Sequence, residues 1–458
     1  MKNVVVIGGG AAGIAAACRL AERGIKVLLL ERSPRLGGRA ASFVHRRMDE
    51  EIDYGHHVLM CCCTQTVALL ACLGMQGAVS FQPRLRVTIV CGSNHARLTS
   101  VPFSGPLHLL PSLLGYRLLK LTERLGVARA GLALLAQDPP EDWSFSEWLR
   151  DHRQTPRVIR RLWDPICVAT LNAHVGSVSA SAAAMVFKEG FFRPHGAALG
   201  LFTVPLSRIF SAAIPFIQAR GGNVRLKAPV EKILIENGRA TGVLLPSGDR
   251  IPVEGVITAI PPFDLLPLLP QEVGEGVHFA SMTQIRWSPI VNLHLWFERP
   301  VMDEPFLIAV NSVVQAIFNI SRIHTKDGPS HLVLSQSTAQ DLMARSSEEI
   351  RDQLLGALEE VLPAVRIARL LDTLVIKHHR ATFLPSPGSD ALRPRAQTPI
   401  NGLFLAGDYT ATGWPSTLES AVRSGRVAAE LLIQSFSSNL IRHRIQQSSG
   451  LHYDCGSV

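Results

Sequence analysis

The chain has 458 residues, 47% of them hydrophobic, and carries a formal net charge of +9 at pH 7. This length allows roughly two or three domains with a large core. No charge-free apolar run of about 18 residues occurs, which argues against a membrane-spanning helix. The 46 lysines and arginines are spread along the chain. No zinc-finger or aromatic-basic pattern accompanies them, which argues against a nucleic acid partner.

The first predicted strand begins at residue 4, which leaves no room for a secretory signal peptide. We therefore expect a cytoplasmic protein. A phosphate-bearing cofactor and an anionic membrane surface explain the positive charge better than nucleic acid does. Peripheral contact with the inner face of a membrane stays open, and so does the oligomeric state.

Residues 4–31 follow the order strand, glycine-rich turn, alanine-rich helix and second strand that a dinucleotide site needs. Gly8 permits the tight turn, Gly10 lets the backbone approach a pyrophosphate, and Gly13 lets the helix pack closely on the strand. The positive end of this helix, which includes Ala12, favours a bound anion. Glu31 ends the second strand, where a carboxylate can accept hydrogen bonds from ribose hydroxyls.

The residues after Glu31 narrow the predicted cofactor to FAD. Arg32 is followed by the sequence Gly37-Gly38-Arg39, which resembles the glycine-pair motif of FAD-dependent amine oxidases and carotenoid desaturases. The glycines allow backbone to lie against the cofactor, and Arg39 supplies a fixed cation for phosphate. A flexible turn with a surface arginine is the plainer interpretation. The spacing after Glu31 fits the cofactor motif and favours it over this alternative.

None of the eight cysteines forms a CxxC pair. Residues 61–63 are three successive cysteines beside His56 and His57, which suggests a metal site. Adjacent residues do not converge easily on one tetrahedral ion, and no second pair of ligands is present. We expect buried, reduced thiols and no metal.

The leucine-rich stretch at residues 107–136 has two interpretations. It is either a basic amphipathic surface that contacts a membrane and opens a lipid channel, or a pair of helices packed in the core of a substrate domain. Arg117, Lys120, Arg124 and Arg129 interrupt the leucines. We favour core packing for most of the leucines, and the basic residues keep the membrane interpretation open.

The middle of the chain alternates between predicted helices and strands. A helix is predicted over residues 206–221, and glycines at its end precede a series of strands. These strands are predicted over residues 223–226, 230–236, 240–245 and 253–259. Farther along, residues 290–297 predict an apolar strand and residues 347–362 an amphipathic helix.

The C-terminal region, residues 402–430, predicts another strand, turn and helix. The strand at residues 403–405 leads into Gly407 and Asp408, and the helix is predicted to start near Ser416. Asp408 can hydrogen-bond the ribityl or pyrophosphate part of a flavin, and the helix can direct its positive end at the flavin's pyrimidine carbonyl. A plain strand–turn–helix is the alternative. The other residues of the expected cofactor set are Gly55, His56, Val230, Ala259, Pro415, Thr417 and Leu418.

These elements predict an α/β protein. A Rossmann-like FAD-binding domain with a mostly parallel sheet is interrupted by a mixed α+β substrate domain that has a helical subdomain. The expected FAD-binding domain is discontinuous and comprises residues 1–75, 205–263 and 396–436. The expected substrate domain comprises residues 76–204 and 264–395. The polar residues 437–458 are expected to form a flexible tail.

Over nearly its full length the chain resembles the FAD-dependent amine oxidase and phytoene desaturase superfamily. The narrower resemblance is to the squalene-associated desaturase-like enzymes, the hydroxysqualene dehydroxylases. Three stretches carry it: residues 38–43 followed by 52–58, residues 162–172, and residues 406–419. The second stretch discriminates best. The chain departs from the usual family pattern at Tyr54, His56, Tyr409 and Trp414, near the expected flavin face.

The resemblance implies that reduced FAD replaces the hydroxyl of hydroxysqualene with hydride in squalene and hopanoid synthesis. An allylic hydroxyl leaves once it is protonated, and a water-free apolar tunnel protects the cation. The candidate proton donors are Asp164, His56 and His57. Each has a plainer role, as a turn residue or as a hydrogen-bond partner of flavin or backbone.

Three other functions stay open. An amine oxidase is disfavoured because Thr417 replaces the aromatic residue expected there, and no lysine occurs between Lys232 and Lys326. A carotenoid or phytoene desaturase would share the fold and the apolar substrate. A non-catalytic protein that binds FAD or lipid is the third. No cysteine occupies the usual thioether position before the last helix, so we expect non-covalent FAD.

Overall fold

The structure, a computed structural model, describes residues 2–449, and side chains as far as Ser437. A five-stranded parallel sheet brings together strands from both ends and the middle of the chain. In spatial order its strands are Asn223–Arg225, Lys26–Leu30, Asn3–Ile7, Gly255–Thr258 and Leu403–Leu405. This is the predicted α/β, Rossmann-like arrangement.

Each face of this sheet is covered by a different layer. Val4 and Val6 pack under helix Ala11–Glu22 and the C-terminal helix Leu418–Ser449. Val5 and Ile7 face the opposite side, because neighbouring strand residues alternate. That side is covered by an antiparallel meander with strands Lys232–Glu236, Arg239–Leu244 and Arg250–Pro252. Residues 4–7 of strand Asn3–Ile7 are all apolar and are therefore buried on both faces.

The two ends of the chain meet where the C-terminal helix crosses the first helix. A side chain at Gly425 would place its Cβ 2.0 Å from the carbonyl oxygen of Ala12, so only glycine allows this approach. Glu419, which is fully buried, accepts hydrogen bonds from the backbone N–H groups of Gln65 and Thr66 at 3.1 and 2.8 Å. These bonds satisfy the free N-terminal donors of helix Thr64–Cys72.

The second large sheet has seven strands and is antiparallel except at one pair. In spatial order they are Leu370–Phe383, Trp287–Phe297, Ser330–Ser337, Ala316–Asn319, Phe306–Ala309, Arg86–Cys91 and Asn94–Thr99. Two smaller antiparallel sheets connect it to the nucleotide domain. They contain Ser42–His45 with Glu50–Asp53, and Val58–Met60 with Leu199–Phe202 and Val79–Phe81.

A helical part packs against the seven-stranded sheet around Phe145, Trp163 and Phe187. Its longer helices are Leu121–Ala136, Phe145–Asp151, Asp164–Leu171 and Ala180–Met185. The amphipathic helix predicted over residues 347–362 is observed at Ser347–Val361. The helix predicted over 206–221 is divided at Ala212 into Leu206–Ser211 and Ala213–Gln218.

The leucine-rich segment is less buried than expected. Within residues 107–136 only three leucines are buried: Leu118, Leu119 and Leu134. Six are exposed, with between 40% and 60% of their surface accessible: Leu107, Leu114, Leu121, Leu125, Leu132 and Leu135. The prediction that most of these leucines pack into the core is therefore wrong. One side of helix Leu121–Ala136 faces the core, and its other side presents leucine to solvent.

The region after Ser437 also departs from the predicted tail. The C-terminal helix continues to Ser449 instead of ending near residue 436. Residues 450–458 lie outside the described residues. Among the helices that the structure describes, none is long and apolar enough to cross a membrane.

Candidate functional site

A single cavity of about 1010 Å³ extends from the carboxyl ends of the parallel strands into the space beneath the seven-stranded sheet. All the residues proposed from the sequence for the cofactor or for catalysis line it, with one exception. The exception is Gly13, whose absent side chain allows the first helix to approach the first strand. A Cβ on Gly13 would lie 1.8 Å from the carbonyl oxygen of Gly8. Gly13 therefore supports the glycine-rich turn through its contact with Gly8 and does not line the cavity.

The glycine-rich turn faces the cavity with its backbone. Gly8 has φ of +102°, a conformation that favours glycine. Gly10 is extended, and no protein atom lies within 4 Å of the position where its Cβ would be. It begins helix Ala11–Glu22, whose first N–H groups have no partner within the helix. Open space in front of free N–H groups is what a pyrophosphate requires.

Glu31 lies at the tip of the second strand and is 7% exposed. Its carboxylate accepts hydrogen bonds from the N–H groups of Gly9 at 2.5 Å and Ser33 at 2.7 Å. These bonds fix the carboxylate at the cavity wall. Arg32 also lines the cavity, but its guanidinium pairs with Asp264 at 3.0 Å on the protein surface. Val230 and Ala259 complete the wall of this end.

A network of charged groups joins the two ends of the chain at the middle of the cavity. Arg39 pairs with the buried carboxylate of Asp408, and Ser416 donates a hydrogen bond to the same carboxylate. The last helix begins at Leu418, two residues later than predicted, and Thr417 caps it by accepting from the N–H of Ser420. Pro415, Thr417 and Leu418 thus present the positive end of the helix to the cavity.

His56 and His57 line the cavity between the two domains. Burial lowers the pKa of His56 to about 3. Burial also lowers the pKa of His57, against the opposing hydrogen bond between its Nδ1 and the carbonyl of Gly55 at 2.9 Å. Both rings are therefore neutral near pH 7, and neither is a standing imidazolium that could protonate a substrate.

Asp164 is held as an acceptor in a polar group at the cavity wall. It accepts a hydrogen bond from the N–H of Val175 at 2.9 Å, and its other oxygen lies 2.9 Å from Nδ1 of His174. Nε2 of His174 lies 3.1 Å from the hydroxyl of Thr338. The hydrogen bond with Asp164 raises the pKa of His174, more than burial lowers it. The group that can hold a proton here is His174 rather than Asp164.

Several polar residues of the cavity were not predicted from the sequence. His174 follows Asn172, whose amide anchors the loop to the carbonyl of Ser288 at 3.1 Å. Asn292 lies against Gly55, where a Cβ would be 2.6 Å from its amide nitrogen. Polar residues inside otherwise apolar stretches are the signal that could have identified them, because burying such groups requires partners.

The cysteine triplet borders the same cavity. Cys62 and Cys63 line it and are only half-buried, whereas Cys18 and Cys167 are fully buried. Every cysteine that the structure describes is free of a disulfide bond. The predicted burial of the triplet is therefore only partial, because residues 61–63 connect the short strand Val58–Met60 to a helix at the cavity wall.

Comparison with known proteins identifies the family. Residues 11–433 match the family of flavin containing amine oxidoreductases. The chain belongs to this family. It is therefore a flavin-dependent oxidoreductase of the amine oxidase and phytoene desaturase group.

Relatives named for two different reactions cover most of the chain. It is 28% identical over 449 residues to the hydroxysqualene dehydroxylase of Sinorhizobium fredii, an alignment that covers 94% of this chain and 98% of that protein. It is 25% identical to the 15-cis-phytoene desaturase of Solanum lycopersicum, covering 95% and 78% of the two chains. The similar desaturase of Synechococcus elongatus is 24% identical, with 94% and 96% covered.

Solved structures share the fold. An oxidoreductase from Methanosarcina mazei superimposes with a TM-score of 0.76 at 19% identity, covering 93% of this chain and all of that one. A putrescine oxidase bound to putrescine superimposes with a TM-score of 0.68 at 19% identity, covering 94% and 99%. At these identities the likeness concerns the fold alone.

We predict that Gly10→Val weakens flavin binding without unfolding the protein. The new Cβ would have no protein atom within 4 Å and would occupy the space before the helix N-terminus. Crowding the pyrophosphate should cost about 1–3 kcal/mol, which corresponds to a roughly 5- to 150-fold loss of affinity. The measurement is the ratio of flavin to protein absorbance, together with the melting temperature.

Gly77→Val is the matched control. Gly77 is exposed and also has no atom within 4 Å of its Cβ position, but it does not line the cavity. It should retain a normal flavin content. A Gly10→Val protein with wild-type flavin content would show that the pyrophosphate lies elsewhere.

Proposed function

We propose that this protein binds FAD non-covalently and reduces hydroxysqualene to squalene, as an enzyme of squalene and hopanoid biosynthesis. The observation that carries the proposal is the continuous cavity, which joins the nucleotide-binding turn to an apolar chamber. Apolar side chains such as Val87, Ile89 and Ile308 line that chamber. The relative named hydroxysqualene dehydroxylase, which aligns over nearly all of both chains, supports the choice of substrate.

The reaction breaks the carbon–oxygen bond of an allylic alcohol, and the oxygen leaves as water after taking up one proton. A bound reduced flavin would supply the hydride for the new carbon–hydrogen bond and would give up two electrons. The apolar chamber excludes water that would otherwise capture the delocalised cation. Arg39, Asp408 and the N-terminus of the last helix hold the cofactor in place.

The proton for the leaving oxygen comes from His174 in this proposal. Its imidazole lines the cavity, and the bond to Asp164 favours the charged ring. Of the three donors proposed from the sequence, Asp164 keeps a role, as the residue that positions and charges His174. A neutral His56 or His57 fits contact with the flavin better.

A carotenoid or phytoene desaturase is the second candidate, because relatives at 24–25% identity are 15-cis-phytoene desaturases. It would use the same cavity with hydride moving from substrate to flavin. Adding hydroxysqualene to the protein with reduced flavin, without oxygen, should reoxidise the flavin and release squalene. Reduction of the oxidised flavin by phytoene would instead identify a desaturase. A flavin inert to both would indicate a non-catalytic binding protein.

We predict that activity falls at alkaline pH, as His174 loses its proton. Because the pKa of His174 is raised, its charged form persists above the usual range of histidine and disappears as pH rises through the raised pKa. Asp164→Asn removes the carboxylate and should move this loss to lower pH. His174→Asn should lower the rate about 100-fold at pH values below the raised pKa and should remove the alkaline limb.

The readout is the single-turnover rate of flavin reoxidation as a function of pH. Asparagine at position 164 can still accept from the N–H of Val175, so the fold should be retained, and the melting temperature checks this. An alkaline limb at the same pH in Asp164→Asn would exclude His174 as the donor.

We further propose that the leucine-rich segment contacts the cytoplasmic face of an anionic membrane, from which the apolar substrate enters. Exposed leucines lie beside Arg117, Lys120 and Arg129, which are also exposed. The cavity reaches this segment, because Arg161 lines the cavity and donates a hydrogen bond to the carbonyl of Leu118 at 2.9 Å. Cations beside exposed leucines suit anionic lipid headgroups.

We predict that Leu121→Gln combined with Leu125→Gln weakens binding to vesicles of phosphatidylglycerol and phosphatidylcholine. Losing two inserted leucines should reduce the partition coefficient by about 10- to 100-fold. Val277→Gln combined with Ile367→Gln removes two apolar side chains that are even more exposed but lie outside the segment. This control should sediment with vesicles like the wild type, and equal losses in both variants would refute a specific docking surface.

A further inference from the structure

A second pocket, which we call the polar pocket, lies beside the end of strand Trp287–Phe297, where Trp296 lines it. It has a volume of about 470 Å³ and is lined by Glu50, Trp296, His324 and Lys326, among others. The large cavity and the polar pocket share no lining residue. A layer of buried side chains separates them.

Strand Trp287–Phe297 extends from the large cavity to the polar pocket. Ile290 and Asn292 line the large cavity, and Trp296 lines the polar pocket. His294 lies between them on the same face, because alternate residues of a strand share a face. It is 1% exposed. A buried histidine therefore stands in the wall between an apolar cavity and a polar pocket.

Hydrogen bonds connect this histidine to the polar pocket. Nδ1 of His294 lies 3.0 Å from Nε2 of His331, on the neighbouring strand, and Nδ1 of His331 lies 3.1 Å from Glu50. Glu50 also accepts from Lys326 and from the indole of Trp296, both at 2.7 Å. His294, His331 and Glu50 thus form an unbroken chain that ends at the polar pocket.

The ionisation states suit transfer of a proton along this chain. Burial lowers the pKa of both His294 and His331, the latter against its bond to Glu50. Burial alone would raise the pKa of Glu50, but bonds from His331, Lys326 and Trp296 outweigh it and hold this pKa below its usual range. The neighbouring ring of His45 stacks on Trp296 and lies 2.7 Å from Asp372. At neutral pH the chain therefore consists of the neutral rings of His294 and His331 and the carboxylate of Glu50.

These states fix the tautomers. The carboxylate of Glu50 requires Nδ1 of His331 to carry the hydrogen, so Nε2 of His331 accepts from Nδ1–H of His294. Nε2 of His294 is then a bare acceptor, buried and without a hydrogen-bond partner among the described residues. When Nε2 of His294 takes up a proton from the cavity, Nδ1 of His294 can pass its proton to His331, and Nδ1 of His331 can pass its proton to Glu50. The same transfers in reverse move a proton from Glu50 to the cavity.

His56 continues the path to the cavity. His294, Val333 and Phe318 lie opposite one another on three adjacent strands, and the His56 ring contacts Phe318 with centroids 4.5 Å apart. The backbones at His294 and Phe318 are two strand spacings apart, or about 10 Å. The His56 ring lies against Phe318, at the far end of this interval. Nε2 of His56 is also buried without a partner among the described residues. A buried water commonly bridges such unpaired groups.

We propose that Glu50, His331, His294 and His56 form a proton path between the polar pocket and the flavin cavity, with a bound water between His294 and His56. Such exchange is needed in the half-reaction without hydride transfer, because two-electron reduction of a flavin near neutral pH by an electron donor takes up one proton and oxidation by an electron acceptor releases one. In the hydride step the hydrogen moves with the electrons. The many apolar side chains of the cavity limit the bulk water that could otherwise supply the proton. The proposal rests on flavin binding and holds for either direction of hydride transfer.

Photoreduction of the bound flavin without oxygen, followed with a pH-indicator dye, tests the path without any organic substrate. Glu50→Gln keeps the shape and the hydrogen-bonding oxygen but cannot carry the proton. Proton uptake should slow at least about tenfold, with a larger rate difference between H₂O and D₂O. Glu51→Gln, next in sequence and paired with Arg208 at the same pocket, should behave like the wild type.

Nuclear magnetic resonance of the wild-type protein labelled with ¹⁵N-histidine gives a second readout, independent of flavin chemistry. His331 and His294 should both be neutral with Nδ1 protonated at pH 7.5, as assigned from signals lost in His294→Asn and His331→Asn. A doubly protonated His331 would make the contact with Glu50 a static ion pair and overturn the path. Wild-type proton uptake in Glu50→Gln would also overturn it. A failure of hydroxysqualene turnover would leave both measurements unaffected.

Discussion

The close contact between the first and last helices is the constraint on which the rest of the molecule depends. Gly425 lets the C-terminal helix approach Ala12 so closely that any side chain there would overlap the backbone. This contact sets the position of Glu419, which caps helix Thr64–Cys72, and of Asp408, which pairs with Arg39. Residues hundreds of positions apart thereby become the two walls of one cofactor site.

The cavity has opposite chemical character at its two ends. Free N–H groups, the carboxylate of Glu31 and the Arg39–Asp408 pair lie at one end, and aliphatic side chains form the other. Burial governs the histidines between them, because desolvation keeps His56 and His57 neutral while a neighbouring carboxylate favours the charged form of His174. Histidine can therefore play different roles in one cavity.

Local sequence patterns predicted individual elements in both halves of the fold well. The strand at residues 403–405 and the helix at 347–362 lie almost where they were expected, because strand order, glycine turns and helical periodicity are encoded within short windows. The prediction for the leucine-rich segment was wrong because the exposure of its leucines depends on tertiary packing and not on a local pattern. Leu121 and Leu125 look like core residues in the sequence, and only the helix orientation shows that they face solvent.

Local patterns along the chain were enough to predict the cofactor class and the order of the Rossmann-like elements, because a strand, a glycine triplet and an acidic residue need only local spacing to form a dinucleotide site. Which polar groups share the cavity depends instead on how distant segments pack. His174 lies in a loop that brings it to Asp164, and His294 contacts His331 on the adjacent strand. Such pairings depend on register and on the packing of distant segments, and burial in the packed protein then sets their ionisation.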